Sequence, residues 1–301
     1  MNRQNGAIAC VAVAVLCWAT VATAFKIALA QTSVYMMLTI ASTVASIILA
    51  LNVTFQHKWG EIRSISRRYI LYCSFLGLIN PVLYYYAIFA AYDLLPAHVA
   101  LTVNYMWPIL LTILLAVAGH QRIPVFKYFG MAISLFGLSI ISIESSNGGE
   151  QLSITGFLLA VFSALLWAAY WLFNNRLKDC IDSTVSLFLE FSTGCIVLYL
   201  GLLFVPIETP LMSAILPCTY IGIMEMGLPF LMFALALRNT NNPALVNQLC
   251  YLAPFLSLFI IAIVLHENIT LYTFLGLALI IAGILFNQYG ATKLIKYISR
   301  R

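Results

Sequence analysis

The chain has 301 residues, of which 63% are hydrophobic and 8% charged, with a net charge of +5. A soluble domain carries roughly 25% charged residues, so this composition excludes a soluble globular fold and calls for a polytopic membrane protein. The basic residues lie in short connections between apolar runs rather than in one patch, which argues against a nucleic-acid partner.

A membrane-spanning helix needs about 20 mostly apolar residues. The chain offers ten such runs, at 7–29, 34–53, 69–92, 97–118, 125–143, 154–174, 183–205, 211–237, 243–264 and 270–290. The predicted fold is therefore all-α, with ten transmembrane helices and no connection long enough for a soluble domain. The first run, preceded by Arg3 and containing Ala22-Thr23-Ala24, imitates a secretory signal with its cleavage site. Its Trp18 has a counterpart in the sixth run, Trp167, so we read it as a retained helix. Lys26 near its outer end has the length to snorkel to the interface, or to draw anionic groups to an outer vestibule.

The third run carries Asn80 at its middle, followed by Pro81 and by Tyr84, Tyr85 and Tyr86. Proline cannot donate the helical hydrogen bond, so this helix is expected to bend or open there. His98 stands at the outer start of the fourth run, as a proton-linked group or an interfacial residue. In the same run Asn104, Tyr105 and Trp107 precede Pro108. The sixth run has Trp167 near its centre, and the seventh carries Glu190 about a third of the way along, shallow enough to meet water at the inner mouth. The eighth run places Glu225 at mid-depth, followed by Gly227 and Pro229, where it too is expected to bend or open. The ninth brings Asn247, Gln248 and Tyr251 ahead of Pro254. His120 and His266 end the fourth and ninth runs, where they would bond terminal carbonyls.

Charged groups inside a bilayer are costly and point to function. Glu225 is expected to contact a substrate amine or carry a proton, the alternative being a structural carboxyl. Glu190 and His98 are further candidates for proton coupling. Trp18, Asn80, Tyr84, Asn104, Tyr105, Trp107, Trp167, Glu225, Gln248 and Tyr251 form the candidate substrate cavity. An aromatic-lined, sparsely charged cavity suits a flat or amphipathic solute through stacking and cation–π contacts. Aromatic packing between helices is the competing explanation. No metal cluster, cofactor motif or nucleophile–base pair is present. The seven cysteines include no C-x-x-C pair and read as small apolar residues.

With both termini placed in the cytoplasm, 14 of the 15 basic residues fall on the inner side and only Lys26 outside. Asp93, Glu144, Glu150, Glu208 and Glu267 then lie in outer connections. Such a lysine and arginine bias determines topology, and predicts a multi-pass inner-membrane protein with inner termini.

The chain also contains itself twice. Tyr105 to Gly137 matches Tyr251 to Gly283 at a constant offset of 146 residues: Pro108 answers to Pro254, His120 to His266, Gly130 to Gly276 and Gly137 to Gly283. Gly6 with Trp18 and Gly156 with Trp167 mark the two starts. Two five-helix copies, 1–147 and 148–301, would enter the membrane from opposite sides, an arrangement typical of secondary transporters.

Ten helices in two inverted copies, with Leu265-His266-Glu267 followed by Gly276 and Gly283, resemble the EamA-type members of the drug/metabolite transporter superfamily. Val103-Asn104-Tyr105-Met106-Trp107-Pro108 and Trp167-Ala168-Ala169-Tyr170 look like the bacterial aromatic amino acid exporters within it, although the residues of the third and eighth helices do not obviously match. The resemblance implies a bundle in which helices 3, 4, 8 and 9 line the path and helices 5 and 10 are peripheral. It implies a small-molecule substrate, moved outward across the inner membrane by a monomer or homodimer embedded in lipid. The expected cargo is an aromatic amino acid or similar amphipathic metabolite. A polyamine, sugar derivative or nucleotide is the alternative. A nucleotide would want several basic residues in the cavity, and the membrane interior has none beyond Lys26. A membrane enzyme or a non-transporting receptor fits the repeat poorly.

Overall fold

Prolines and glycines decide where the long apolar runs of this chain stay helical and where they open. The structure is a computed structural model and describes residues 3–118, 125–147, 153–174, 176–177, 180–205, 210–240, 246 and 249–286. Gln248, Asn247 and His120 lie outside the described residues. All regular structure among the described residues is helical. In lipid this follows from the need to satisfy every backbone group within its own segment.

In chain order the helices are α1 (Arg3–Leu29), α2 (Val34–Phe55), α3 (Trp59–Ser64) and α4 (Arg67–Gly77). A π-helical segment, Leu78–Leu83, joins α4 to α5 (Tyr84–Leu94). There follow α6 (Ala97–Asn104), α7 (Trp107–Ala118), α8 (Val125–Asn147), α9 (Ile154–Asn174) and α10 (Ser183–Gly201). A second π-helical segment, Gly222–Gly227, joins α11 (Met212–Ile221) to α12 (Leu228–Asn239). The last two helices are α13 (Leu252–Val264) and α14 (Leu271–Leu285). Six described stretches are long and apolar enough to cross a membrane: Arg3–Leu29, Val34–Phe55, Arg67–Leu94, Ile154–Asn174, Ser183–Gly201 and Met212–Ala236. Four apolar helices, Ala97–Leu111, Tyr128–Ile140, Leu252–Val264 and Leu271–Leu285, are shorter.

The expected bends are present. Asn80 leaves helical geometry altogether (φ −138°, ψ 115°), and Gly227 departs from it at φ −98°, ψ −81°. Two breaks exceed the expectation. The fourth run is not continuous: α6 stops at Asn104 and α7 starts at Trp107, because Pro108 has no N–H for the Asn104 carbonyl. Met106 turns back to the Val103 carbonyl instead (3.1 Å), tightening the chain there. The ninth run shows a turn at Cys250 and Tyr251, four residues ahead of Pro254. The short α3 is also an addition, an amphipathic turn outside the apolar runs.

The packing is interleaved between the two halves of the chain. Helix α1 lies against α11, α12 and α13, whereas α9 lies against α5, α6 and α7. Helix α10 packs on α2 and on α4, and α14 packs on α8. Glycines allow the closest approaches. A Cβ on Gly77 would strike the Glu190 carbonyl and Thr193; a Cβ on Gly222 would strike the Ala41 carbonyl and Val44. Leu16, Leu51, Phe136, Ile196, Leu216 and Ile263 point out of the bundle, as a lipid-facing surface requires.

Charged side chains close the connections at both ends. Lys58 bridges to Asp182 (2.7 Å), which also caps α10 by accepting from the Thr184 amide (2.9 Å). Burial would raise the Asp182 pKa, but the bond from Lys58 and the Thr184 amide outweigh it and hold the carboxyl below its usual range. At the far end of the α4–α5 helix, Lys26 donates to the carbonyls of Tyr92 (2.7 Å) and Leu95 (2.9 Å). It therefore caps the end of α5 rather than reaching for the interface.

Candidate functional site

Glu225 sits inside the second π-helical segment, where a widened turn displaces a side chain from regular helical register; such segments recur at functional sites. Its Oε1 accepts a hydrogen bond from the Tyr85 hydroxyl (3.1 Å). Tyr85 is fully buried, while Glu225 is only partly so and keeps some of its surface accessible. The carboxylate is also within electrostatic reach of Cys17, Tyr84 and Tyr105. Among the described residues no lysine, arginine or histidine forms an ion pair with it.

Aromatic rings surround this group. Tyr84 lies against Tyr85 (4.7 Å between centroids) and against Trp167 (4.6 Å). Trp167 stacks on Tyr170 (5.7 Å, 25°) and meets the edge of Phe230 (5.9 Å, 77°). Trp18 reaches the same Phe230 from α1 (6.4 Å, 87°). Phe230 therefore stands between the two tryptophans that mark the starts of the two copies. Sequence reading missed it; its only signal is its place directly after Pro229. Asn104 is tied in as well, accepting from the Tyr84 hydroxyl (3.4 Å) and donating to Ser163 (2.9 Å). Tyr105 and Tyr251 pack against the same core. Trp107 makes none of these ring contacts, although it stands two residues after Tyr105.

Three candidates lie elsewhere. Asn80 is fully buried near the Tyr170 hydroxyl, yet neither polar atom of its amide has a hydrogen-bond partner of good geometry. Glu190 is not at a water-exposed mouth: it is fully buried, because Gly77 brings the broken helix directly onto its backbone. Its carboxylate accepts from Tyr170 (2.8 Å), Ser186 (2.5 Å) and Asn174 (3.3 Å).

His98 is at the start of α6, where its Nδ1 meets Glu267 Oε2 (2.7 Å). The same carboxylate accepts from the backbone amides of Ala97 (2.9 Å) and His98 (3.3 Å), capping the helix. Burial raises the Glu267 pKa, but the His98 bond and these amides prevail and keep it below the usual carboxylate range. His98 is thus partnered at the connection between α5 and α6, apart from the aromatic cluster. His266 ends α13 through its left-handed backbone (φ 54°), and its exposed side chain is not used for that purpose.

A helical bundle with interleaved halves, glycine-mediated crossings and a lone carboxylate among aromatic rings is the setting for comparison with known proteins. The EamA-like transporter family matches over residues 5–143 and again over 154–288. The chain belongs to the EamA-like transporter family. This member is accordingly a multi-pass membrane transporter. It is 24% identical over 214 residues to the uncharacterized transporter YvbV of Bacillus subtilis (strain 168), an alignment covering 69% of this chain and 68% of that protein. It is 25% identical over 183 residues to the aromatic amino acid exporter YddG of Ancylobacter novellus, covering 60% and 63% respectively. The uncharacterized transporter YoaV of Bacillus subtilis (strain 168) is 26% identical over 62% of this chain and 64% of its own length. The chain thus spans about two thirds of these relatives. A solved crystal structure at 19% identity superposes with a TM-score of 0.67 over 97% of this chain and 99% of that one, which shows a common fold.

Proposed function

We propose that this EamA-like protein is a secondary transporter that exports aromatic amino acids or similar small amphipathic metabolites. Its ten spans would form two inverted five-helix copies, residues 1–147 and 148–301, in the inner membrane with both termini inside. The observation that carries the substrate reading is Glu225 held by Tyr85 beside Tyr84, Trp167, Phe230 and Trp18. A carboxylate pairs with the substrate's ammonium group, and the rings stack on its flat part. The two separate family matches and the interleaved packing of the halves support the two-copy organisation. The name of the Ancylobacter relative supports export of an aromatic amino acid.

A second reading follows from one observation. An amino acid brings a carboxylate as well as an amine, and Lys26 already serves the Tyr92 and Leu95 carbonyls. An aromatic amine or a polyamine needs no such partner. Proteoliposomes loaded with labelled tryptophan, phenylalanine, tryptamine or putrescine decide between them. Efflux of the two amino acids, competed by one another, supports the first reading. Efflux of the amines alone supports the second, and movement of none of the four refutes both.

A further inference from the structure

The buried carboxylate of Glu190 is unused by the substrate reading above, and its surroundings are unusual for a structural group. Its carboxyl is wholly withdrawn from solvent. It is met by three neutral donors, Tyr170, Ser186 and Asn174, and by no lysine, arginine or histidine among the described residues. An isolated buried carboxylate is strongly unfavourable without a compensating charge.

The neighbouring amide supplies an independent observation. Asn80 is fully buried, and neither its Oδ1 nor its Nδ2 has a hydrogen-bond partner of good geometry, which a buried amide rarely tolerates. It stands where the α4–α5 helix opens, beside the Tyr170 hydroxyl that donates to Glu190. The walls are fixed: Gly77 touches the Glu190 carbonyl, and Gly194 touches the Pro81 ring and the Gly77 carbonyl. No side chain separates the two backbones at this crossing. Opened backbone beside a buried carboxylate is the setting in which transporters hold coupling cations.

We propose that Glu190, Tyr170, Ser186 and Asn80 form a binding site for a small monovalent cation, separate from the Glu225 cluster. All the available ligand atoms are hard oxygens, which suit alkali or alkaline-earth ions rather than soft metals. One carboxylate balances one positive charge, so a divalent ion would leave a net charge buried in the bundle. The two sites are joined by ring contacts running from Tyr85 through Tyr84 and Trp167 to Tyr170. Occupancy beside Tyr170 is thereby in mechanical contact with the rings around Glu225.

The test uses the full-length protein purified in detergent, with sodium chloride against N-methylglucamine chloride at equal ionic strength. Saturable binding of radioactive sodium is expected, with a sodium-specific rise in Tm. Asn80→Ala should weaken sodium binding by roughly tenfold, the scale of losing a group that supports a metal ligand. Glu190→Gln should abolish it, while Glu225→Gln retains it. Absence of saturable sodium binding by the folded wild-type protein at neutral and alkaline pH overturns the proposal, even if Glu190→Gln fails to fold. So does sodium binding that survives Glu190→Gln. A stability that responds to pH but not to sodium would instead make Glu190 a protonated structural acid.

Discussion

Ser134 donates to the carbonyl of Ile280 (2.9 Å), and the two residues are separated by the 146 positions that relate the matching halves of the sequence. A residue touches its own equivalent only near an axis of exchange. The glycines around it behave accordingly: Gly137 abuts the Gly276 carbonyl, and Gly283 abuts the Gly130 carbonyl, so each contact is the other with the halves swapped.

Substitutions at these glycines should therefore come in matched pairs. Gly137→Ala and Gly283→Ala each drive a methyl group into facing backbone, at a cost of about 1–3 kcal/mol. Gly60→Ala, with nothing within 4 Å, should be neutral. Thermal unfolding of the three variants in detergent provides the measurement, and an unharmed Gly283→Ala would refute the reciprocal packing.

Glu225→Gln preserves size and the acceptor for Tyr85 while removing the charge. We expect a folded protein with wild-type yield and little transport of any amine-bearing solute. Tyr85→Phe should weaken transport less, because only one bond to the carboxylate is lost. Wild-type efflux by Glu225→Gln would reduce the residue to a packing role.

Two of the three tryptophans proposed for the cavity, Trp167 and Trp107, should no longer be treated alike. Trp167 touches Tyr84, Tyr170, Trp171 and Phe230. Each lost ring contact costs about 0.5–1.5 kcal/mol, so Trp167→Ala should weaken binding of an aromatic solute at least several-fold. Trp107→Ala should be milder. Competition binding on membranes ranks them, and the reverse order would move the site toward α7.

Glu267 gives a defined acid response. Its carboxyl is held below the ordinary value of 4.5 in the folded protein. Its contribution is thus full above about pH 4.5 and fades as pH falls from there through the lower folded value. Glu267→Gln should cost about 1–2 kcal/mol at neutral pH, as lost hydrogen bonds to a charged group do, and should flatten the acid limb of the stability curve. An acid limb unchanged by the substitution would show that another carboxyl governs it.

Orientation is checked by reporters fused after Arg301 and within 57–67. Both should read cytoplasmic. A periplasmic signal at either position would rule out the inward placement of the termini.

The transporter family and its helical, membrane-spanning character were legible because a bilayer forces long apolar runs and leaves glycines and prolines as punctuation. The bends at Asn80 and Gly227 were readable for the same reason. The gap between α6 and α7 was not: a proline four residues past a carbonyl is as compatible with a kink as with a full stop. Phe230 was missed because its one signal, a place directly after Pro229, does not say which way its ring points. The burial of Glu190 depends on Gly77, more than a hundred residues earlier, and depth along a run says nothing of that contact. His98 and Glu267 stand 169 residues apart, and only the fold joins them.

Gly77 meets α10 at Glu190, and Gly222 meets α2 at Ala41. The corresponding crossings thus present a carboxylate on one side and a methyl group on the other. A molecule made of two identical halves could trade their conformations at no energetic cost, resting equally often facing either way. Here the two acidic residues of the interior among the described residues, Glu190 and Glu225, belong to the later half, so the trade is not neutral. On the two-copy organisation proposed above, that chemical inequality sets the direction in which the empty protein rests, and exchanging Ala41 and Glu190 should invert the preference.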